Sequence, residues 1–255
     1  KHRRRLFASL PPLVFQAYGE GPMIHNFLIN LDNSRDRYAR AATALAAAGL
    51  EFARVEAVDG RSDPPRVAPG FGRQVSGSEQ GCRASHKVAL EAFLAGDAPM
   101  AAIFEDDIAA VDAAALTSVA RWLAGRGGWG VAHLSQPVEG FRSPWGQADG
   151  IDVFRAHLFP MTTGALLWSR EGARTFLDHA PRDWPMDHAL RACLLRHSLG
   201  VGTEDVMAKL SGQPSQMSDR EALIGPAYRR RRAALRRRQK AVAAWNRVRW
   251  RFTGG

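Results

Sequence analysis

The sequence predicts an α/β fold with a single main domain, in which a mixed and mainly parallel sheet is flanked by helices. Apolar runs of strand length alternate with amphipathic helical segments from residue 24 onward, a pattern typical of parallel strands joined by helices. A chain of 255 residues can bury a sizeable core without disulfide bonds or a structural metal. One apolar run also ends in three consecutive acidic residues, and open α/β sheets bind ligands outside the carboxyl ends of their strands.

The first elements predict a β-α-β unit. Residues 24–31 are apolar enough for a buried first strand, and the side-chain acceptors of residues 32–34 suit the start of a helix. Gly49 is a helix stop, and residues 51–58 alternate as a second strand does. Such a unit favours parallel neighbours in the sheet.

The next elements lead to the acidic strand end. Residues 59–72 are rich in Pro and Gly, and they predict a loop without regular structure. Ser76 followed by Glu79 has the spacing of a capping box and predicts a helix that runs to about residue 94. Residues 101–104 predict a buried central strand, and the acidic residues follow it directly.

The remaining segments complete the sheet and its covering helices. Residues 136–150, rich in Gly and Pro, predict a mobile loop over a site. The other predicted elements, in order, are a helix at residues 116–123, a strand at 131–134, an apolar segment at 158–168, a helix at 170–179 and a helix after residue 184 that ends near residue 197.

Glu105, Asp106 and Asp107 form the stretch around which the chain is organised. Three carboxylates held together at a strand end are costly without a cation. Carboxylate oxygens suit Mg²⁺ or Mn²⁺, and these ions usually keep positions free for the phosphates of a substrate. The cluster therefore predicts a site for a metal and a diphosphate. The alternative is a solvated strand end followed by a helix cap.

The formal net charge of +10 is concentrated at the ends of the chain. Residues 228–252 hold eleven Arg or Lys and no acidic residue, and residues 1–5 hold four more bases. The body between them is mildly acidic, so no nucleic-acid partner is expected. Met23 lies directly before the first predicted strand, and this position alone suggests an extension at residues 1–22. The polar and then basic composition beyond residue 211 predicts a main domain at 23–217 and a basic amphipathic tail at 218–255.

The two cysteines suit a reducing compartment, and the apolar runs predict neither a transmembrane helix nor a secretory signal peptide. Cys82 and Cys193 are far apart and form no metal-ligand pattern, and Cys82 is expected to be a small packing residue. No apolar run reaches the roughly eighteen residues that a transmembrane helix needs. Residues 6–18 resemble a signal peptide only faintly, because Pro11 and Pro12 interrupt the apolar run.

The tail predicts a helix with an apolar seam beside a cationic surface. The seam residues recur at helical spacings, and they are Leu235, Val242, Trp245, Val248 and Phe252. Such a helix suits the headgroup region of an anionic membrane. The alternatives are a solvated, partly disordered tail and a segment that binds nucleic acid through phosphates.

Five segments together resemble glycosyltransferase family 25, which includes the bacterial lipooligosaccharide galactosyltransferases and their collagen-modifying relatives. These segments are Ile29-Asn30-Leu31-Asp32 with Arg35 and Arg37, Val55-Glu56-Ala57-Val58-Asp59-Gly60, Glu79-Gln80-Gly81-Cys82-Arg83-Ala84-Ser85-His86, Phe104-Glu105-Asp106-Asp107 and Pro185-Met186-Asp187. Their joint occurrence is far more specific than any single motif.

The resemblance implies a GT-A fold, a nucleotide-sugar donor that is usually UDP-galactose, a divalent cation, and transfer with inversion onto a lipooligosaccharide or another glycan or glycolipid. It also implies contacts to the nucleotide from Asn30 and Leu31, to the base and ribose from Asp59 and Gly60, to the donor from Ser85 and His86, and to the metal and ribose from Glu105, Asp106 and Asp107.

This chain has its three acidic residues in succession, whereas the usual motif of the family's fold spaces two as Asp-x-Asp. Asp107 is the first choice of metal ligand and Asp106 the second, with Mn²⁺ or Mg²⁺ as the ion. The expected location is the cytoplasm, peripheral on the inner membrane.

The two arginines and the Ser85-His86 pair each have more than one possible role. Arg35 and Arg37 could each bind phosphate through a bidentate fork, or each could lie on a solvated helix face. Ser85 and His86 do not make a nucleophile-base pair, since neighbours on a helix point about a hundred degrees apart. His86 is expected at the donor or, alternatively, as a structural histidine.

Asp187 is the predicted general base, because an inverting displacement needs a carboxylate that takes the proton of the acceptor hydroxyl. The alternative for Asp187 is a plain helix N-cap. Thr162, Thr163 and Gly164 would let the acceptor approach closely, or Gly164 would only mark a kink in a buried strand.

Three classes of function are compatible with these patterns. The first is a metal-dependent glycosyltransferase with a membrane-adhering tail, which the acidic cluster and Asp187 favour. The second is a nonenzymatic module whose basic helix binds membrane or nucleic acid. The third is a metal-dependent phosphoester hydrolase, which the same carboxylates would serve.

Overall fold

The computed structural model describes residues 24–213 and 216–253. The extension predicted at residues 1–22 therefore lies outside the described residues. In chain order the strands are β1 (Ile24–Asn30), β2 (Ala53–Glu56), β3 (Arg66–Val67), β4 (Gln74–Val75), β5 (Met100–Glu105), β6 (Ile108–Val111), β7 (Val131–His133), β8 (Arg142–Ala148), β9 (Ile151–Ala156), β10 (Ala165–Ser169), β11 (Gly200–Thr203) and β12 (Ala208–Leu210).

Eight of these strands form one mixed sheet in the order β2-β1-β5-β10-β7-β11-β9-β8. Strand β1 pairs in parallel with β2 and β5, and β10 pairs antiparallel with β5 and β7. Further along, β11 is parallel to β7, and β9 is antiparallel to both β11 and β8. Only β9 and β10 run against the other strands, which confirms the mixed, mainly parallel sheet that the sequence predicts.

Helices cover both faces of this sheet. They are α1 (Arg35–Ala47), α2 (Gly77–Ala95), α3 (Ala113–Ala124), α4 (Arg170–His179), α5 (Met186–His197) and α6 (Pro226–Thr253), with a 3-10 helix at Ser218–Leu223. Successive side chains of a strand point to opposite faces. On β5, Ala101 and Ile103 belong to the core under α2, α4 and α5, whereas Ala102 and Phe104 belong to the core under α1 and α3. Burial on both faces explains why the central strands read as continuous apolar runs.

The start of α2 is fixed by the predicted capping box. The Ser76 hydroxyl accepts a hydrogen bond from the Glu79 backbone N–H at 3.3 Å, and the Glu79 carboxylate accepts one from the Ser76 N–H at 3.1 Å. Arg73 forms an ion pair of 2.5 Å with the same carboxylate, and both side chains are nearly inaccessible to solvent. The buried ion pair therefore holds the first turn of α2 at one position.

The prediction of a mobile loop at residues 136–150 is wrong. Strand β8 occupies residues 142–148 of this stretch and pairs with β9, with Ala148 opposite Ile151. The two residues between the strands, Asp149 and Gly150, have φ of 48° and 86°, so they form the tight hairpin turn that Asp-Gly favours. The loop predicted at 59–72 is likewise interrupted by β3, which pairs with β4.

Helix α6 packs along the body of the protein through one face. Tyr228, Gln239 and Ala243 are buried on this face, and the Asn246 side chain donates to the Leu195 carbonyl at 2.9 Å. Tyr228 completes a small core with Phe71 and Val75. The tail predicted at 218–255 is therefore in contact with the rest of the fold over the part that the structure describes. Within residues 24–213 and 216–253, no helix has both the length and the apolar character needed to cross a membrane.

Candidate active site

A cleft of about 330 Å³ opens where β1, β2 and β5 end. Parallel pairing brings these ends together, because Ile29 lies opposite Glu105 and Asn30 opposite Glu56. The predicted site residues that line the cleft are Asn30, Leu31, Arg37, Asp59, Gly60, Ser85, His86, Glu105, Asp106, Asp107, Thr162, Thr163, Gly164 and Asp187. Arg35 does not join them. It is exposed in the first turn of α1, so the structure does not support its predicted contact with a donor phosphate.

Asp106 is held by partners within the protein. One carboxylate oxygen accepts from Arg37, with Nε at 2.8 Å and a terminal nitrogen at 2.5 Å, and the other accepts from the Asn30 amide at 2.8 Å. The Asn30 oxygen in turn accepts from Arg54 at 2.9 Å. These bonds tie the acidic turn to β1 and α1. Arg37 thus lines the cleft, but its guanidinium already forms an ion pair with Asp106. It is therefore less available for the contact with a donor phosphate that the sequence predicted.

Glu105 is bound on one oxygen by two donors. The Thr163 hydroxyl donates to Oε1 at 2.6 Å, and Nε2 of the buried His86 donates to the same atom at 3.0 Å. Burial opposes ionisation of Glu105, but the hydrogen bond and charge of His86, the hydrogen bond of Thr163 and the charge of Arg37 hold its pKa below the usual value. His86 therefore positions a carboxylate in the cleft wall, as a structural histidine would.

Asp107 differs from its two neighbours because one of its carboxylate oxygens, Oδ1, is buried without a hydrogen-bond partner among the described residues. Burial, reinforced by the negative charges of Glu105 and Asp106, raises the pKa of Asp107 to about 6 despite the opposing charge of Arg37. An uncompensated carboxylate oxygen beside two other carboxylates fits a hard divalent cation, which would supply the missing partner.

Asp187 reaches the cleft from the first turn of α5. Pro185 is the N-cap residue and no side chain caps this helix, so the plain N-cap alternative does not describe Asp187. Its Oδ1 accepts a hydrogen bond from the adjacent His188 N–H at 2.8 Å. Burial raises the pKa of Asp187 to about 6, with a further contribution from the negative charge of Glu79. A partly desolvated carboxylate with such a pKa is suited to accept a proton near neutral pH.

The wall between β2 and α2 is made largely of backbone. The Ser85 hydroxyl donates to the Gly81 carbonyl at 2.7 Å and accepts from the Val58 N–H at 2.8 Å, so Ser85 fixes this wall and has no bond to His86. A Cβ atom on Gly60 would lie 2.0 Å from the Gly77 carbonyl oxygen, and one on Gly81 would lie 2.4 Å from the Val58 carbonyl oxygen. The loop after β2 can approach α2 this closely only because these residues are glycine.

Asp59 stands at the open side of this wall with a partner that sequence reasoning missed. Arg61 donates to both of its carboxylate oxygens, at 2.8 and 2.5 Å. The hydrogen bonds from Arg61 lower the pKa of Asp59 to about 2. The spacing of two residues between an Asp and an Arg in a polar loop is the signal that could have suggested this pair.

Cys82 lies close to His86 and Glu105, and one potential ligand atom from each lies within 4.8 Å of the others. Cys82 and His86 are one helical turn apart on α2, which explains their shared face. Burial, with the charges of Glu105 and Asp187, raises the pKa of the Cys82 thiol well above its usual value. A protonated thiol is a poor metal ligand, so the oxygens around Asp107 are the better site for a hard cation.

Further cleft residues come from the segment after β12, where the sequence predicted no site residue. They are Gln213, Gln216, Met217 and Arg220. Gln216 donates to the Ser34 hydroxyl at 3.0 Å, and Asp219 accepts from the Ser78 N–H at 3.1 Å. These long-range hydrogen bonds place the segment beside the cleft, and no local pattern in the sequence predicts them.

Gly77→Ala tests whether the backbone wall is as tight as the structure shows. The new Cβ would lie 1.9 Å from the Gly60 carbonyl oxygen and 2.5 Å from the Asp63 carbonyl oxygen. We expect a loss of about 3 kcal/mol in unfolding free energy and a fall in melting temperature of roughly 6–12 °C. Gly125→Ala is the matched control, since nothing lies within 4 Å of its Cβ position. Equal melting temperatures for the two variants would contradict the tight contact.

Comparison with protein families finds that the N-terminal part of the described chain is similar to a family of glycosyltransferases. The matching family model is that of glycosyltransferase family 25 (LPS biosynthesis protein), and it covers residues 23–119. This match confirms the resemblance predicted from the sequence. The matched range contains the acidic turn, His86 and Asp59, whereas Asp187 lies beyond it.

The other comparisons are more distant. One similar solved structure is a mutant of Drosophila beta-1,4-galactosyltransferase 7 in complex with manganese, UDP-Gal and xylobiose, with 11% identity, 78% of each chain covered and a TM-score of 0.43. Another is a glycosyltransferase involved in the glycosylation of the major capsid of PBCV-1, with 11% identity, a TM-score of 0.39, and coverage of 79% of this chain and 98% of that one. At these TM-scores neither likeness carries an argument about this chain. None of the curated proteins compared with the chain matches it.

Proposed function

We propose that this protein transfers a hexosyl group, with UDP-galactose as the expected donor, onto a lipooligosaccharide or another glycan, with inversion and in the presence of Mn²⁺ or Mg²⁺. The observation that carries the proposal is that one cleft joins the unpaired carboxylate of Asp107 to the desolvated carboxylate of Asp187, which comes from a different element. The first suits a metal-bound diphosphate, and the second suits removal of a proton from the acceptor.

Asp107 would hold the divalent cation, with Asp106 as a second source of oxygen. When bound, the cation neutralises charge that develops on the leaving diphosphate. The protein's own contribution is to keep the acidic turn in place. Arg37 and Asn30 fix Asp106, while His86 and Thr163 fix Glu105 through one oxygen. Among the described atoms of these three carboxylates, Oδ1 of Asp107 is the buried oxygen without a hydrogen-bond partner.

The donor would lie along the backbone wall. Asn30, Leu31, Asp59 and Gly60 line this part of the cleft, which agrees with the contacts that the family resemblance implies for nucleotide and ribose. Arg220 also lines the cleft, and its Nε is buried without a hydrogen-bond partner among the described residues. Since Arg37 is occupied by Asp106, Arg220 is the better candidate for a contact with the donor phosphates.

A donor screen is the direct test. Each common nucleotide sugar is incubated with the full chain and Mn²⁺, and release of the nucleoside diphosphate is followed with and without a lipooligosaccharide acceptor. We expect release from UDP-galactose that depends on the metal and rises with the acceptor. Release of a nucleoside monophosphate and a sugar 1-phosphate, with water and no acceptor as the reactant, would instead support the phosphoester hydrolase.

The exposed face of α6 supports the further proposal that the enzyme works at an anionic membrane surface. While Gln239 and Ala243 face the body, Trp245 is 67% exposed and Phe252 is 85% exposed. The same helix carries the eleven bases of residues 228–252. Aromatic side chains beside bases, without an acidic residue nearby in sequence, are the composition of helices that lie in the headgroup region.

Trp245→Ala combined with Phe252→Ala should weaken binding to vesicles containing anionic lipid by roughly tenfold or more, because the variant lacks the two aromatic rings that would enter the headgroup region. Half-molar salt should weaken binding of the unchanged protein, since each base near the surface contributes about 1 kcal/mol. Val67→Ala is the control, because Val67 is 73% exposed but lies on β3. Vesicle sedimentation measures all of these, and equal binding by the double variant would exclude a membrane role for this face.

A further inference from the structure

A second cavity, of about 500 Å³, lies on the opposite face of α2 from the cleft. Cys82 and His86 point toward the cleft, whereas Arg83 and Lys87 line this second cavity, as helical geometry requires for neighbouring positions. We call this cavity the α2 groove. Its lining residues come from α2, the end of α4, the loop before α5 and the β3-β4 hairpin, and they include Arg66, Arg83, Lys87, Phe176, Arg182 and Trp184.

Arg83 is the unusual residue of the α2 groove. One terminal nitrogen of its guanidinium is buried without a hydrogen-bond partner among the described residues. The group stacks over the Phe176 ring at 4.7 Å. Burial lowers the pKa of Arg83 to about 10, which still leaves it charged at neutral pH. A buried cation with an unmet donor is costly, and an anion in the groove would satisfy it.

The rest of the groove adds to the positive charge. Arg66 and Arg182 are exposed at its rim. Lys87 forms an ion pair with Glu91 at 2.8 Å, so it contributes less. Asp183 is the acidic residue in the lining, and its charge partly offsets that of Arg83. The balance of the lining is cationic, and Arg is the side chain best shaped for bidentate contact with phosphate or carboxylate.

One wall of the groove is apolar and rigid. Phe176 and Leu177 lie on α4, and Trp184 is fixed by a hydrogen bond from its indole N–H to the Pro69 carbonyl at 2.8 Å. An aromatic ring held beside guanidinium groups offers a flat surface for a sugar ring and donors for its charged substituent. A purely inorganic anion would not need this wall.

The groove and the cleft share a boundary. Trp184 lines the groove, while the next residue, Pro185, lines the cleft together with Asp187. On α2 the same change occurs between Glu79, which lines the cleft, and Gln80, which lines the groove. A glycan longer than one sugar could therefore contact both cavities around the start of α5.

We propose that the α2 groove binds an anionic substituent, a phosphate or a carboxylate, on the glycan acceptor while another part of the same acceptor reaches Asp187. This inference rests on the proposed glycosyltransferase function and narrows its acceptor to an anionic glycan. The groove acts by binding only, so it contributes to acceptor affinity and not to the chemical step.

Calorimetric titration with sugar probes tests the groove without relying on turnover. Mannose 6-phosphate, glucuronate and mannose are each titrated into the full chain and into Arg83→Gln, Arg182→Gln and Arg121→Gln. We expect binding of at least one charged sugar and none of mannose, with the phosphate and carboxylate arms deciding which anion is preferred. Arg83→Gln and Arg182→Gln should each weaken that binding about tenfold or more. Arg121 is exposed on α3, outside the groove, so its variant should bind as the unchanged protein does.

The same proteins are titrated with UDP and Mn²⁺ to separate this inference from the proposed function. Unchanged UDP affinity together with lost charged-sugar binding in the two groove variants supports the groove. Equal binding of mannose and the charged sugars, or unchanged binding by both groove variants, overturns it while leaving the donor site intact. Arg182→Gln keeps the test valid if Arg83→Gln lowers the melting temperature, because Arg182 is exposed. Absence of UDP binding in the unchanged protein would count against the proposed function, whatever the sugars do.

Discussion

Asp107→Asn is expected to reduce sugar transfer by roughly 10³-fold or more, because it removes the carboxylate best placed to hold the divalent cation. The asparagine keeps the shape of the side chain but loses the charge that a hard cation requires. Burial without a hydrogen-bond partner makes the charged form of Asp107 unfavourable in the absence of a cation, as its pKa of about 6 reflects. The variant should therefore fold at least as stably as the unchanged protein while binding Mn²⁺ more weakly.

Asp106→Asn is the informative comparison for this prediction. Asp106 pairs with Arg37 at 2.5 Å, so its loss should leave a guanidinium without its partner and lower the melting temperature. Titration of Mn²⁺ followed by electron paramagnetic resonance, together with melting curves and turnover, distinguishes a lost ligand from a lost ion pair. Full activity of Asp107→Asn, or of the unchanged protein in excess chelator, would refute the metal assignment.

Asp187→Asn is expected to lower turnover by roughly 10²- to 10⁴-fold with donor affinity nearly unchanged, because the lost proton transfer belongs to the transition state. The unchanged enzyme should also lose activity as the pH falls through about 6, where burial places the pKa of Asp187 and the carboxylate becomes protonated. Turnover, donor affinity and melting temperature measured on the variant and on Asp178→Asn, an exposed carboxylate of α4, provide the comparison.

The stability of Asp187→Asn gives an independent check. The folded pKa of about 6 exceeds the ordinary value of 3.8, so the folded state binds more protons between these pH values. Asp187 therefore lowers stability as the pH rises through this window, and the asparagine variant should lack that dependence. If turnover is unchanged, the base must be another carboxylate, with Glu105 or Asp106 next, although both already accept hydrogen bonds within the protein.

Local signals in the sequence predicted much of the framework. The spacing of Ser76 and Glu79 marked the start of α2 because a capping box needs only neighbouring residues. The central strand β5 was visible because burial on both faces leaves an almost continuous apolar run. The hairpin at Asp149 and Gly150 was also within reach, since Asp-Gly between strands is a strong turn signal, but the glycines and prolines around it suggested a loop.

The partnerships inside the site could not be predicted in the same way. The acids at residues 105–107 were evident as a cluster, yet their different roles depend on contacts from β1, α1, α2 and the approach to β10. Arg37 reaches Asp106 across 69 positions of the chain, and Thr163 reaches Glu105 across 58. The insertion of β10 between β5 and β7 creates the second contact, and no local pattern specifies that strand order.

The glycine contact between the β2 loop and α2 restricts how donor preference can evolve. Where Gly60, Gly77 and Gly81 meet, the cleft wall has no side chain to exchange, so a change of residue there removes the wall and cannot reshape it. Variation must act on the side chains that line the rest of the cleft, Met161 and Thr162 among them. A library selected for a new nucleotide sugar should therefore retain all three glycines and accumulate its substitutions among the side chains of the cleft lining.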